Sequence, residues 1–117
     1  MIGGNIIASI QTRTITENAI GEQVEEWQTV QSIKGWLDMM SADSKSTDYS
    51  SKIADASDVF VADYVRINAS IDPENPSNAR AVIDGKIYDV KYIDDPMHMH
   101  QQLEIFLKFT GGVVNVS

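Results

Sequence analysis

Apolar, β-branched residues lie on both sides of Asp84-Gly85, and this pattern predicts a β-hairpin within residues 80–94. An Asp-Gly pair favours a type I′ turn, because both central residues of that turn need positive φ. A two-residue turn fixes the cross-strand pairs as Ile83 with Lys86, Val82 with Ile87, Ala81 with Tyr88 and Arg80 with Asp89. The same register groups four side chains on one face: Ala81, Tyr88, Val90 and Tyr92.

The segment from Gln102 to Thr110 alternates apolar and polar residues, with Phe106 as the exception. Its apolar set is Leu103, Ile105, Leu107 and Phe109. A period of two over this length indicates a half-buried antiparallel strand. Residues 80–110 therefore predict a three-stranded meander, in which Asp94-Asp95-Pro96 and the Met/His segment after it join the second strand to the third.

Three earlier segments also predict strands. Residues 5–16 are rich in Ile and Thr and contain neither Gly nor Pro, which is typical of a strand. Residues 24–40 fit no single alternation, so we expect a bulge or bend near Gln31 or Gly35, or two separate strands. Residues 58–71 predict a strand whose faces separate Phe60, Tyr64 and Arg66 from an aliphatic set of Val59, Val61, Val65 and Ile67.

The remaining segments are polar. Residues 41–57 are rich in Ser and Asp and poor in large apolar residues, which predicts a long polar loop with room for a short helix. Residues 72–78 predict a second loop, and residues 111–117 predict a C-terminal tail. Together the elements indicate one domain, residues 1–117. Its expected fold is mainly β, a small antiparallel β-barrel of five to six strands with one long polar loop.

The charge balance limits the possible partners. The chain has 17 acidic and 9 basic residues, for a formal net charge of −8. Proteins that hold nucleic acid by neutralising phosphates need a basic face, so this balance argues against such a function. Cysteine is absent, which excludes disulfides and thiolate metal sites. No apolar run is long enough for a transmembrane span, and the first residues lack the pattern of a signal peptide.

Candidate chemistry is sparse in this sequence. Motifs for nucleotide binding, metalloprotease or serine hydrolase activity are absent. Met97-His98-Met99-His100 is metal-like, but two His without a third ligand make a weak site. Asp94-Asp95-Pro96 has the form of a carboxylate pair, although such a pair more often begins a turn. Trp27 and Trp36 suit core or interface packing better than ligand stacking. We therefore expect no catalytic residue, no metal and no cofactor.

The order of features along the chain is more informative than any single motif. Trp27 precedes V-x-x-I-K-G-W-L, which leads into the polar loop. After the loop come V-F-V-A-D-Y-V-R-I, which contains Arg66, and then I-D-G-K-I-Y-D-V-K-Y-I-D-D-P. A Gly-Lys-x-Tyr-x-Val signature starts at Gly85 and leads to Asp94. This ordered set, over about residues 10–109, resembles the bacteriophage head–tail joining family, the head-completion or stopper proteins of tailed phages and prophages. Asp63 and the loop at residues 72–76 depart from the family pattern.

The resemblance implies a structural protein of the virion and not an enzyme. Such proteins are expected to assemble as a ring below the portal and adaptor after DNA packaging, close the channel, and offer the tail a docking surface. The implied partners are the portal/adaptor ring, a tail-completion protein and further copies of the chain. DNA would pass through the channel without sequence-specific binding, and no membrane is involved. The implied location is the head–tail junction of the virion, after synthesis in the host cytoplasm.

The resemblance also suggests site residues. In the family the long loop lines or plugs the channel, and here it corresponds to residues 41–57. The candidate gating residues are Asp43, Lys45, Asp48, Tyr49, Lys52 and Asp55. Their small negative excess leads to the hypothesis that loop–loop contacts close the gate, while like charge lets DNA slide freely. The candidate interface residues are Trp27, Trp36, Arg66, His98 and His100.

Two other functions remain open from the sequence. One is a small β-barrel binding module of the oligonucleotide-binding type, which would need a basic groove with exposed aromatic residues. The other is a different neck component, such as an adaptor or a tail terminator, which the sequence separates poorly from a stopper.

Overall fold

Residues 6–39 and 55–114, which the computed structural model describes, form six antiparallel strands. The strands are β1 (Ile6–Glu17), β2 (Gln23–Met39), β3 (Asp58–Asp63), β4 (Ala79–Ile83), β5 (Lys86–Asp94) and β6 (Gln102–Val113). They close into a barrel in the order β1-β2-β3-β6-β5-β4, with β4 paired to β1. In these ranges the only helical element is a 3-10 turn, Pro96–His98, and no helix could cross a membrane. The predicted fold class is confirmed.

The Asp-Gly hairpin forms in the predicted register. All four cross-strand pairs of β4 and β5 are as expected, from Arg80 with Asp89 to Ile83 with Lys86. Asp84 and Gly85 have φ of 51° and 77°, which is the backbone that a type I′ turn requires. The face assigned to Tyr92 was wrong. A register shift between Val90 and Tyr92 turns Tyr92 out of the core, and Ile93 is buried instead.

The core fills the barrel from alternate positions of its strands. Its largest fully buried side chains are Phe60, Ile10, Ile83, Leu103, Ile105, Leu107 and Pro76. Leu103, Ile105 and Leu107 confirm the alternation predicted for the last strand. Phe109 belongs to the same alternation but is 43% exposed, because β6 continues past the core. The Phe109 ring packs beside the Tyr88 ring, with centroids 5.3 Å apart.

A β-bulge in β2 confirms the expected irregularity near Gln31. Ile10 pairs with Gln31 and Gln11 pairs with Thr29, so Val30 is an extra residue on β2. The extra residue changes which positions face outward. Trp27 and Trp36 differ in parity along the chain, yet both lie on the outward side of β2, while Ile33 between them is buried.

The strand predicted over residues 58–71 is wrong in its second half. β3 ends at Asp63, since β6 begins at Gln102 and offers no partner beyond it. Residues 64–71 leave the sheet, and the Gln31 side chain bonds the carbonyl of Arg66 and the N–H of Asn68, both at 2.9 Å. The face toward the core is that of Phe60 and Ala62, and not the aliphatic set that begins with Val59.

The predictions for the polar segments agree with the structure only in part. Residues 72–78 form the predicted loop between β3 and β4. The predicted tail at 111–117 is wrong for its first part, because β6 runs to Val113 and pairs it with Lys86. Of the predicted loop 41–57, only residues 55–57 lie within the described residues. The short helix suggested for that loop lies outside the described residues, apart from Ala56, which is buried.

The β1–β2 hairpin extends beyond the barrel as an arm, which we define as residues 13–28. β4 pairs with β1 only from Ser9 to Thr12, and β3 pairs with β2 only from Gly35 to Met39. Every residue from Arg13 to Gln23 is exposed, and the molecule measures 49 × 29 × 26 Å. The register places residues 64–78 and 95–101 at the end of the barrel that carries the arm. Met39 and Asp55 lie at the opposite end.

Gly35 is required by close packing inside the barrel wall. A Cβ at this position would overlap the carbonyl oxygen of Val61, and it would also crowd Ala62 and Phe60 at 3.0 Å. Because the first obstacle is the backbone of β3, a side chain here would push β2 away from its neighbour.

We expect Gly35→Ala to destabilise the protein by about 1–3 kcal/mol, the usual cost of overpacking a core. The free energy of unfolding in urea measures this. Gly112→Ala is the matched control, because the three atoms nearest to its Cβ would belong to side chains, the closest at 3.2 Å. Equal stability of the two variants would contradict the packing role of Gly35.

Candidate assembly surfaces

Trp36 lies on an outer strip that crosses the barrel wall. Pairing aligns Trp36 of β2 with Val61 of β3, Glu104 of β6 and Asp94 of β5. Trp36 is 46% exposed, so the indole presents much of its surface to solvent. A large aromatic side chain on a sheet exterior is the type of residue that dominates protein interfaces.

A small cluster outside the sheet supports this strip. Phe106, the exception to the alternation of β6, is buried under Ala56 and packs with Val59 and Tyr92. Residues 55–57 hold this cover in place, because the N–H of Ser57 donates to the carbonyl of Leu107 at 2.7 Å and the N–H of Phe109 donates to the Ser57 hydroxyl at 2.8 Å. The odd apolar position in β6 was therefore a signal of a second, outer packing layer.

Glu104 lies within the outer strip, next to the acidic Asp94. Burial, together with the charge of Asp94, raises the pKa of Glu104. Ionising a carboxylate in this position therefore costs free energy in the folded protein. Sequence reasoning missed Glu104, which appeared only as a polar position of an alternating strand.

Trp27 is held at the base of the arm. The Arg80 guanidinium lies 4.3 Å from the centroid of the Trp27 ring. The same side chain donates from Nε to Oε1 of Gln11 at 2.8 Å, and the indole N–H of Trp27 donates to Oε1 of Glu25 at 2.9 Å. Stacking of a guanidinium on an indole is a favourable cation–π contact. Arg80 of β4 therefore links the barrel to the arm, a role that the correct Arg80–Asp89 register did not reveal.

Arg66, His98 and His100 lie at the barrel end that carries the arm. Asp95 organises the loop there, because its Oδ2 contacts Nδ1 of His100 at 2.7 Å and its Oδ1 accepts the His100 N–H at 3.0 Å. The His100 ring also packs against the Tyr64 ring in a tilted arrangement, with centroids 4.5 Å apart. A cavity of about 260 Å³ is lined by Arg66, Asp95 and apolar neighbours, and a second of about 340 Å³ includes His98.

The predicted metal-like segment does not have the geometry that a strand would give it. Met97, His98 and His100 have φ of 54–56°, so the backbone turns within the segment. Within residues 6–39 and 55–114, no group of three or more His, Cys, Asp or Glu could hold a metal ion. His100 contacts Asp95, and Arg66 lines the same cavity as Asp95, whereas Trp27 and Trp36 belong to separate surfaces.

Asp55 is the one predicted gating residue within the described part of the chain. Its carboxylate contacts Nζ of Lys108 at 3.0 Å and Nζ of Lys91 at 3.4 Å. The hydrogen bond from Lys108, followed by that from Lys91, lowers the pKa of Asp55. The other predicted gating residues lie outside the described residues: Asp43, Lys45, Asp48, Tyr49 and Lys52.

We expect Glu104→Gln to stabilise the protein at neutral pH. The pKa of Glu104 is higher in the folded than in the unfolded protein, so ionising Glu104 lowers the free energy of unfolding. This loss is complete above the folded-state pKa and absent below the unfolded-state pKa near 4.5. The gain should stay below about 1 kcal/mol, because solvent screens a half-exposed carboxylate. Urea unfolding from about pH 7 to pH 4 should show the gain shrinking as the pH falls.

Two variants control for loss of a negative charge. Glu22→Gln removes a charge from the exposed hairpin turn and should change little. Asp55→Asn should destabilise the protein at neutral pH. The pKa of Asp55 is lower in the folded than in the unfolded protein, so its ionised form stabilises the fold above the unfolded-state pKa near 3.8. This stabilisation is lost as the pH falls through the folded-state pKa. A Glu104→Gln gain independent of pH would contradict the assignment.

Comparison with known proteins identifies the family. The sequence profile of the phage head completion protein family matches residues 7–108. The fold is similar to a chain in the virion of a native gene transfer agent particle, with a TM-score of 0.58 and 12% identity over 98% of this chain and 100% of that chain. It is also similar to a Shigella flexneri 2a protein solved in solution, with a TM-score of 0.58 and 17% identity over 92% and 94% of the two chains. No curated protein matched the sequence. The family profile covers the barrel from β1 into β6, and the chain belongs to the phage head completion protein family.

Proposed function

We propose that this protein is a structural component of the virion neck that joins head to tail. In this proposal it assembles as a ring below the portal and adaptor, closes the DNA channel after packaging, and provides a docking surface for the tail. Its membership of the phage head completion protein family, over residues 7–108, is the observation that carries the proposal. The role is structural and not enzymatic.

The distribution of candidate interface residues suits a subunit with neighbours on several sides. Trp36 lies on the outer strip, Trp27 at the base of the arm, and Arg66, His98 and His100 at one end of the barrel. A ring subunit needs lateral surfaces for its own copies and two ends for the proteins above and below. The separation of these residues supports that arrangement.

The proposal retains the gating hypothesis for the loop at residues 41–57 but changes how the charge of that loop is distributed. Asp43 and Asp48 balance Lys45 and Lys52, so the negative excess depends on Asp55. Asp55 is bound by Lys91 and Lys108 of the barrel. The channel-facing charge would then be close to neutral in each copy, which favours closure by loop–loop contacts over a strong electrostatic effect on DNA.

The surface chemistry disfavours a single-stranded nucleic-acid module. Such a module stacks bases on aromatic residues within a basic groove. Here the outer strip that carries Trp36 also contains Glu104 and Asp94, and the chain has a net charge of −8. A phosphate backbone would be repelled at the place where bases could stack.

Deleting the gene from its phage or prophage should yield full-sized heads that lack tails and have lost their DNA, beside complete free tails. The expectation follows because an unsealed channel leaks DNA and offers the tail no docking surface. Electron microscopy of the particles measures both products, and a plasmid copy of the wild-type gene should restore tailed particles. Normal tailed particles from the deletion strain would overturn the proposal.

Replacing Asp43 and Asp48 with Lys should slow DNA ejection, because several added positive charges per ring would bind the phosphate backbone. Ejection kinetics of purified particles, with Asn at both positions as the neutral control, measure the effect. The Asn variant should eject like the wild type if the channel is near neutral in each copy. Unchanged ejection in the Lys variant would show that these residues do not line the channel.

A further inference from the structure

The arm carries two strand edges that no described strand covers. Within residues 6–39 and 55–114, β4 leaves β1 after Thr12 and β3 pairs with β2 only from Gly35 onward. The arm is nevertheless well defined at its tip, where Oδ1 of Asn18 accepts the N–H groups of Ile20 and Glu22 at 3.1 and 2.9 Å. A two-stranded ribbon in water is only marginally stable by itself, and uncovered edges favour further strand pairing.

The direction of the backbone groups shows which residues form these edges. The N–H of Arg13 points away from β2, since it donates to the carbonyl of Asn78 at 2.9 Å. In an antiparallel ladder the outward groups recur at every second residue. The outward backbone groups of β1 therefore continue at Ile15, and those of β2 lie at its partners, Glu25 and Trp27.

Charge determines how two arms can pair. Within the arm, β1 carries Arg13 and Glu17, while β2 carries Glu25 and Glu26. Pairing β2 with β2 would place acidic residues against each other, and like charges opposite one another destabilise a sheet. Pairing β2 with β1 of another copy places Glu25 near a second Arg13 on the same face of the sheet, as in the Arg13–Glu25 contact that each arm already makes at 3.8 Å.

Strand direction favours the same choice. Copies related by rotation point their arms the same way, so β2 of one copy and β1 of the next run antiparallel. A head-to-tail contact of this kind uses both edges of every arm and leaves none free when the ring closes. Exposed apolar side chains on the arm, Ile15 at 53% and Ile20 at 78%, would gain contacts in such a sheet.

We propose that the occupant of each arm edge is a second copy of this chain, with β2 of one arm pairing with β1 of the next to form a continuous antiparallel sheet around a ring. The proposal rests on the ring assembly described above. It adds the surface through which the copies meet.

Cross-linking in assembled particles tests this arrangement directly, because the chain has no native cysteine. The deletion strain is supplied with two differently tagged versions, Ile15→Cys and Glu25→Cys. These residues lie opposite each other in the hairpin, so in arms that run along the ring axis they would stand at the same height in every copy. Adjacent strands bring such residues within about 5.5 Å, whereas like positions on successive arms lie about 10 Å apart.

A short bismaleimide should therefore give the mixed product at least ten-fold over either product between like variants. Lys86→Cys, which is exposed at the opposite end of the barrel, controls for random cross-linking. Particles that contain both variants but give no excess of the mixed product would overturn the arm pairing while leaving the neck assignment intact. Absence of the protein from the particles would overturn both, and the unreacted sample shows this before any cross-linker is added.

Discussion

Closure of the backbone hydrogen-bond ring is the constraint on which the rest of this structure depends. β4 returns to β1 through only four residue pairs, from Ser9 with Val82 to Thr12 with Ala79. This short contact removes the free edges of the barrel and encloses the core that begins at Ala8 and Ile10. Because closure involves so few residues of β1, the remainder of that strand is free to extend with β2 as the arm.

Local patterns in the sequence were enough to predict the elements that depend on neighbours along the chain. The Asp84-Gly85 turn fixed a register because both strands of the hairpin are adjacent in sequence. The extra residue near Gln31 was visible because two apolar periodicities of opposite parity met there. Alternation also predicted the burial of Leu103, Ile105 and Leu107.

Features that depend on distant strands could not be predicted in this way. Residues 64–71 have the composition of a strand, but a strand needs a partner, and β6 begins too late to provide one. Residues 111–113 look like a tail, yet β5 is long enough to pair with them. For the candidate site, Trp27 and Trp36 could be named as candidate interface residues, whereas Arg80, Glu104 and the exposed arm depended on the register across the closed barrel.

The bulge at Val30 has a geometric consequence for assembly. A bulge bends its strand and increases the local twist, and this one lies where the arm leaves the barrel. Removing the extra residue would leave Ile10 opposite Gln31 and Gln11 opposite Thr29, so every side chain would keep its face while the arm took a new direction. In the ring proposed above, the angle between neighbouring copies would determine how many of them complete the circle. Val30, a single extra residue at the base of the arm, would then control the diameter of the opening that the circle surrounds.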